Sequence, residues 1–108
     1  MSDAVPSSAA STGAADAAVG AVRRTIGIAN KRGLHARAAA KFVRTAGQFD
    51  SVIRVRFKGQ EVSGLSIMGL MMLAAGIGSE IDLLCSGRQA KEAMTALSAL
   101  VEGKFGED

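Results

Sequence analysis

Hydrophobic and polar residues alternate in three segments of the chain, and this alternation predicts β-strands. The segments are residues 24–29, 51–57 and 80–85. Apolar side chains would line one face of each strand, with Ile26 and Ile28 on that face of the first. The turn signal Lys58-Gly59 follows the second segment, so we expect residues 60–63 to form a fourth, short strand beside it.

Three further segments carry apolar residues at intervals of three and four, which predicts helices. We expect these helices at about residues 36–47, at 66–74 with Ser66 as N-cap, and from residue 90 onward. A capping-box pattern, Ser86-Gly87-Arg88-Gln89, precedes the last helix. The expected buried stripes are Ala39, Ala40, Val43 and Ala46 in the first helix, Leu70, Leu73 and Ala74 in the second, and Ala90, Ala93, Leu97 and Leu100 or Val101 in the third.

The resulting order of elements is β-α-β-β-α-β-α, which favours an α+β fold. Three helices on one face of a mostly antiparallel, four-stranded sheet give a two-layer, open-faced sandwich. We assign this domain to residues 21–108. Residues 1–20 consist mostly of Ala, Ser, Gly and Thr without aromatic residues, so we expect a disordered N-terminal tail.

The composition argues against several functional classes. One histidine and one cysteine are too few soft ligands for a metal site, and we expect neither metal nor cofactor. Cys85 lies in an apolar strand segment and is expected to be a buried, reduced thiol. No apolar run reaches the roughly 18 residues that a membrane span needs, and no secretory signal is recognisable. We therefore expect a cytoplasmic protein without membrane insertion.

The single histidine lies where a glycine-containing turn leads into the first predicted helix. In the segment Gly33-Leu34-His35-Ala36-Arg37, the histidine is placed at the helix N-terminus and the arginine follows two residues later. Unpaired backbone N–H groups and the helix dipole make such a position an anion site, suited to phosphate. The alternative is that His35 is a helix cap or a surface residue without chemistry.

Positive charge is concentrated in the first half of the folded region. Residues 21–58 carry ten Lys or Arg and one acidic residue, whereas residues 59–108 carry three basic and seven acidic residues. Arg37, Lys41 and Arg44 share a helix face that begins beside the histidine, which is either a solvated face or the rim of a docking surface. Because the chain offers no aromatic stacking platform, zinc finger or RNP-type motif, we do not expect nucleic acid as the partner.

The second predicted helix is apolar on nearly all of its faces. Its buried stripe leaves Ile67, Met68, Met71 and Met72 to cover the remaining faces. A two-layer domain of this size cannot bury a helix on all sides, so we expect an exposed apolar patch. Methionine suits adaptable contact surfaces, which favours a docking role over simple core filling.

Two motifs and the order of elements together resemble a known family. The motifs are Gly33-Leu34-His35-Ala36-Arg37 and, at the family's spacing, Ser66-Ile67-Met68-Gly69. They resemble the histidine-containing phosphocarrier protein (HPr) of the bacterial phosphotransferase system, over about residues 23–103. In that family a histidine accepts a phosphoryl group from Enzyme I, which phosphoenolpyruvate has charged, and donates it to an EIIA-type protein. The resemblance implies a monomeric phosphocarrier, and not an enzyme, that serves sugar uptake or regulation.

The resemblance also implies roles for particular residues. His35 would be phosphorylated on Nδ1, with Ala36 and Arg37 binding the phosphate and Arg37 neutralising its charge. Ser66 corresponds to a serine that a dedicated HPr serine kinase/phosphorylase modifies in some bacteria. The implied docking surface consists of Ile67, Met68 and Met71, with Lys41 and Arg44 at its basic rim.

One residue departs from the family pattern, and two other functions remain as alternatives. Ala38 stands where the family usually has proline, which loosens the start of the helix slightly. Within the family, the alternative is the nitrogen-regulatory branch, whose carrier is NPr. An alternative of a different class is a small regulatory or nucleic-acid-binding α+β domain in which His35 is only a cap.

Overall fold

A computed structural model describes residues 21–107, and all structural statements concern these residues. The predicted order of elements is confirmed. The strands are β1 (Val22–Gly27), β2 (Val52–Phe57), β3 (Gln60–Ser63) and β4 (Glu80–Ser86). The helices are α1 (Ala36–Ala46), α2 (Ile67–Met72) and α3 (Ala90–Glu102), and a short 3-10 turn (Lys104–Gly106) follows. The tail predicted for residues 1–20 lies outside the described residues.

The four strands form one sheet in the order β1-β4-β2-β3, and every neighbouring pair is antiparallel. Ile26 of β1 pairs with Ile81 of β4, and Val55 of β2 lies between Leu83 and Val62. The predicted α+β open-faced sandwich is thus confirmed. β1 begins two residues before its predicted start, because the alternation weakens where arginines enter the strand.

The hydrophobic core lies between the sheet and the helices, and alternate residues of the two central strands face it: Ile53 and Val55 of β2, and Ile81 and Leu83 of β4. The strands, the helices and the 3-10 turn all contribute fully buried side chains to this core. The stripe predicted for α1 is partly wrong, because Ala38 and Phe42 are fully buried while Ala40 and Val43 are only half-buried. Phe42 rotates the buried face of α1, since the largest apolar side chain gains most from burial.

Two local predictions about helix ends are wrong. Ala74, predicted to be buried in the second helix, lies beyond its end, is exposed and has a positive φ of 56°. The capping box before α3 does not form, because Ser86 still belongs to β4 and Gln89 occupies the N-cap position without capping. The Gln89 side chain instead accepts a hydrogen bond from the Asp50 backbone N–H at 2.7 Å, which ties α3 to the loop before β2.

Ion pairs cover the open face of the sheet. Arg54 and Arg56 of β2 both pair with Glu61 of β3 at 2.9 Å, and Arg23 of β1 pairs with Asp82 of β4 at 3.2 Å. Partial burial raises the pKa of Glu61, but the hydrogen bonds and charges of the two arginines outweigh it and hold this pKa below its ordinary value. None of the helices within residues 21–107 is long and apolar enough to cross a membrane.

The Cys85 thiol is expected to be unreactive in the folded protein. Its side chain is 1% exposed, and burial raises its pKa to about 11. Because the thiolate is the reactive form, we expect a thiol reagent such as DTNB to modify the folded protein at least about 100-fold more slowly than the guanidinium-unfolded chain. Equal rates for the folded and the unfolded chain would contradict the burial of Cys85.

Candidate functional site

The loop before α1 is held in place by a close backbone contact at Gly33. This residue has a φ of +65°, and a Cβ at this position would lie 2.4 Å from the carbonyl oxygen of Ala75. The next residue, Leu34, is buried and donates its N–H to the same carbonyl at 3.0 Å. Only glycine fits such an approach with this backbone conformation. The contact fixes the loop against the segment after α2, directly before His35.

His35 lies at the N-terminus of α1, as predicted, where it occupies the N-cap position. Its backbone is extended, and its side chain makes no capping hydrogen bond. The first turn of α1 contains no acidic residue. No acidic side chain of the first turn therefore competes for the backbone N–H groups of Ala36 and Arg37, which lie where an anion can use them. The fully buried Ala38, which replaces the family's proline, follows in the same turn.

The predicted basic stripe on α1 divides into two kinds of residue. Arg37 and Arg44 are exposed, and neither forms an ion pair within residues 21–107. Lys41 is half-buried, and its ammonium donates a hydrogen bond to the carbonyl oxygen of Phe105 at 2.7 Å. Lys41 therefore holds the 3-10 turn against α1, whereas Arg37 remains available beside the histidine.

A carboxylate that the sequence analysis did not identify contacts the histidine. Oε2 of Glu107 lies 2.5 Å from Nε2 of His35, and each side chain is 16% exposed. Oε1 of Glu107 accepts a hydrogen bond from the Asn30 side-chain amide at 3.1 Å. No local pattern could have indicated this contact, because Glu107 lies 72 residues from His35 in the sequence.

The environment of Glu107 favours its ionised form. Desolvation raises the pKa of Glu107, but hydrogen bonds from Asn30 and His35, together with the charges of His35 and Lys41, lower it below the ordinary value. A carboxyl group whose pKa is lower in the folded protein than in the unfolded chain stabilises the fold above its ordinary pKa. This contribution disappears as the pH falls through the lowered pKa. Glu107 is therefore a carboxylate at neutral pH.

Ser66 occupies the N-cap position of α2, as predicted. Its hydroxyl accepts a hydrogen bond from the Gly69 backbone N–H at 2.9 Å. Gly69 packs closely here, since a Cβ would lie 3.0 Å from the Ser66 Oγ and 3.1 Å from Val62. The motif Ser66-Ile67-Met68-Gly69 thus has a structural role in starting this short helix.

The apolar patch predicted on α2 is exposed. Leu70 and Leu73 face the core, whereas the exposed fraction is 68% for Met68 and 73% for Met72. Ile67 and Met71 are also exposed, and Leu65 and Ile77 extend the apolar surface on either side of α2. Because α2 packs beside α1 and the segment after it contacts the loop before His35, the patch and the histidine belong to one side of the molecule.

Comparison with known proteins identifies the family. The family model described as "PTS HPr component phosphorylation site" matches residues 22–103. The chain belongs to the HPr family. The phosphocarrier protein HPr of Cupriavidus necator is 50% identical over 86 residues, which cover 80% of this chain and 97% of that protein. The phosphocarrier protein NPr of Shewanella violacea is 43% identical over 86 residues, covering 80% and 94% of the two chains.

Solved structures of HPr proteins share the fold. The crystal structure of HPr-C-His from Thermoanaerobacter tengcongensis has a TM-score of 0.78 and 46% identity, and covers 81% of this chain and 98% of that chain. The structure of HPr from Bacillus anthracis has a TM-score of 0.72 and 42% identity, and covers 75% of this chain and 96% of that chain. The predicted HPr resemblance is therefore confirmed in sequence and in fold.

Proposed function

We propose that this protein is a phosphocarrier that accepts a phosphoryl group from phosphorylated Enzyme I on Nδ1 of His35. It then passes the group to an EIIA-type protein. One observation at the site supports this assignment. Glu107 occupies Nε2 of the ring, whereas Nδ1 has no hydrogen-bond partner within residues 21–107 and belongs to an uncapped helix N-terminus. A nucleophilic nitrogen beside unpaired N–H donors is what an incoming phosphoryl group requires.

The transfer step needs little from the protein beyond positioning and charge stabilisation. The Nδ1 lone pair of His35 forms a new N–P bond while the N–P bond of the donor phosphohistidine breaks. The electron pair of the broken bond stays on the donor ring, which becomes a neutral imidazole. The Nε2 proton of His35 is retained, and donation to the EIIA-type protein reverses these steps.

Arg37 is proposed to neutralise the transferred group. It lies in the first turn of α1, is exposed, and has no acidic partner within the described residues. A guanidinium can bind two phosphoryl oxygens at once, while the N–H groups of the first turn contribute further donors. Because the site is on the surface, the group is held by a few contacts and a second protein can remove it.

The proposed docking surface is the patch of Ile67, Met68 and Met71, and we expect Met68→Asp to weaken docking. The side chain is 68% exposed, so a carboxylate there costs little stability but introduces charge into an apolar interface. The KM of Enzyme I for the variant should rise by about fivefold, or roughly 1 kcal/mol, in a steady-state phosphorylation assay. Thr95→Asp, at an exposed position of α3, is the control and should behave as wild type. A lower melting temperature with unchanged KM would instead place Met68 in the core.

Phosphoenolpyruvate carrying a radioactive phosphoryl group, with purified Enzyme I, tests the proposed function. The protein should incorporate one acid-labile, base-stable label and lose it when an EIIA-type protein is added. A regulatory or nucleic-acid-binding domain, in which His35 is only a cap, would stay unlabelled. Offering sugar-branch and nitrogen-branch EIIA proteins in parallel assigns the branch, because the cognate acceptor removes the label faster.

A further inference from the structure

We propose that Met68 is a site of reversible oxidation, at which hydrogen peroxide converts the thioether to a sulfoxide and thereby weakens docking of Enzyme I. The effect on docking rests on the proposed function, whereas the oxidation itself is a property of the free protein. The inference begins with the distribution of sulfur over the surface and the core.

Exposed sulfur-containing side chains are concentrated on one short helix. Met68, Met71 and Met72 lie within the six residues of α2, and their exposed fractions are 68%, 38% and 73%. The two other sulfur-containing residues in the described part of the chain are buried, since Met94 is 8% and Cys85 is 1% exposed. An oxidant in solution therefore meets accessible thioethers on α2, on the surface proposed for docking.

The cysteine does not compete for the oxidant. Peroxide reacts with the thiolate form of cysteine, and its attack also requires access to the sulfur. Cys85 is buried in β4, and burial raises its pKa to about 11, so almost no thiolate is present at neutral pH. The exposed methionines of α2 are therefore oxidised before the thiol.

The reaction is a two-electron oxygen transfer. A lone pair of the Met68 sulfur attacks one oxygen of hydrogen peroxide, so that an S–O bond forms while the O–O bond breaks. The sulfur is oxidised and the peroxide is reduced, and the departing hydroxide takes the proton of the transferred hydroxyl and leaves as water. A methionine sulfoxide reductase, with a dithiol as reductant, restores the thioether and releases the oxygen as water.

The fold does not depend on the Met68 thioether. Leu70 and Leu73 anchor α2 in the core, with exposed fractions of 0% and 4%. The Ser66 hydroxyl accepts the hydrogen bond from the Gly69 N–H that starts the helix. A sulfoxide on a side chain as exposed as that of Met68 stays in contact with water, so we expect little change in stability.

Oxidation takes its effect when the surface is covered by a partner. The docking patch presents Met68 between Ile67 and Met71 in the sequence of α2. A sulfoxide oxygen accepts hydrogen bonds from water, and an apolar interface that removes this water leaves the oxygen without a donor. We therefore expect the KM of Enzyme I for the oxidised protein to rise by about fivefold.

The test begins with hydrogen peroxide and the purified, folded protein. Peptide mass spectrometry measures sulfoxide at each methionine over time, and Met94 is the buried internal control. We expect Met68 to be oxidised at least about tenfold faster than Met94. The KM of Enzyme I should rise without a lower melting temperature, and a methionine sulfoxide reductase with dithiothreitol should return it to the untreated value.

Met68→Leu and Met72→Leu assign the effect to one sulfur atom. Each variant is compared with its own untreated sample, so that any effect of the substitution itself cancels. Peroxide should leave the KM of Met68→Leu nearly unchanged, because leucine is apolar but cannot be oxidised in this way. Met72→Leu retains the Met68 thioether, and its KM should rise on treatment as much as that of the wild type.

An unchanged KM of protein that carries sulfoxide on Met68 would overturn the proposal. An equal rise in treated Met68→Leu, or a rise that appears only together with a lower melting temperature, would also overturn it. If the untreated wild type accepted no label from Enzyme I, the proposed function would fail, while mass spectrometry would still decide whether Met68 is a site of oxidation.

Discussion

The His35→Ala variant is expected to fold normally and to accept no phosphoryl group from phosphoenolpyruvate and Enzyme I. The substitution removes the only imidazole of the chain, and with it the proposed nucleophile. Labelling should fall below about 0.1% of the wild-type level, because no neighbouring side chain can take over the role. The fold should persist, since the His35 side chain makes no capping contact and its hydrogen bond is to the Glu107 side chain alone.

Gln48→Ala provides the matched control for this variant. Gln48 is an exposed residue just beyond the other end of α1, so its removal leaves both the site and the helix core intact. Circular dichroism and melting temperature establish that both variants are folded before labelling is compared. Undiminished labelling of a folded His35→Ala protein would show that another residue carries the phosphoryl group.

Ser66→Asp is expected to keep the fold and to slow phosphorylation of His35 by at least about tenfold, or roughly 1.4 kcal/mol of barrier. Aspartate is as good an N-cap as serine, so the hydrogen bond from the Gly69 N–H can be retained. The new charge lies at the start of α2, one residue from the exposed Ile67 of the docking patch. We propose that a phosphate on Ser66, added by a serine kinase, acts in the same way with about two negative charges.

Ser66→Asn separates charge from helix capping. Asparagine has nearly the shape of aspartate and is an equally good N-cap, but it is neutral. We expect the asparagine variant to accept phosphoryl groups at the wild-type rate in the same assay. Equal slowing of both variants would attribute the effect to local geometry, and wild-type rates in both would leave Ser66 as a structural cap.

Most of the fold could be predicted from periodicity. Alternation located the strands, and β3 was predicted with its observed limits because the Lys58-Gly59 turn fixes where the chain reverses. Register within a strand is strongly determined once one face must be buried, so Ile53, Val55, Ile81 and Leu83 are buried as expected. The antiparallel pairing of β2 with β3 follows from the short turn that connects them.

The errors occurred where packing between distant segments overrides local pattern. The predicted α1 stripe lacks Phe42 because an alanine-rich helix offers several similar stripes, and only contact with the rest of the core selects one. The capping box before α3 was predicted from residue types alone. In the structure, β4 extends through Ser86, and Gln89 bonds instead to the loop before β2.

In the candidate site, too, residues in local motifs could be predicted, whereas contacts between distant segments could not. His35, Arg37 and Ser66 could be identified from short motifs, because each lies at a helix N-terminus whose chemistry is local. The contact of Glu107 with His35 depends on the strained turn after α3 and on the burial of Phe105. The sequence places Lys41 at the rim of the docking surface, and only the structure reveals its hydrogen bond to the carbonyl oxygen of Phe105 in this turn.

The position of phosphorus on the imidazole ring tests the central claim most directly. The nitrogen-15-labelled protein is phosphorylated with phosphoenolpyruvate and Enzyme I, and phosphorus–nitrogen coupling in its NMR spectra then identifies the bonded atom. We predict that phosphorus is bonded to Nδ1 of His35, while the proton remains on Nε2 beside Glu107. Phosphorus on Nε2, or on any other residue, would contradict the account.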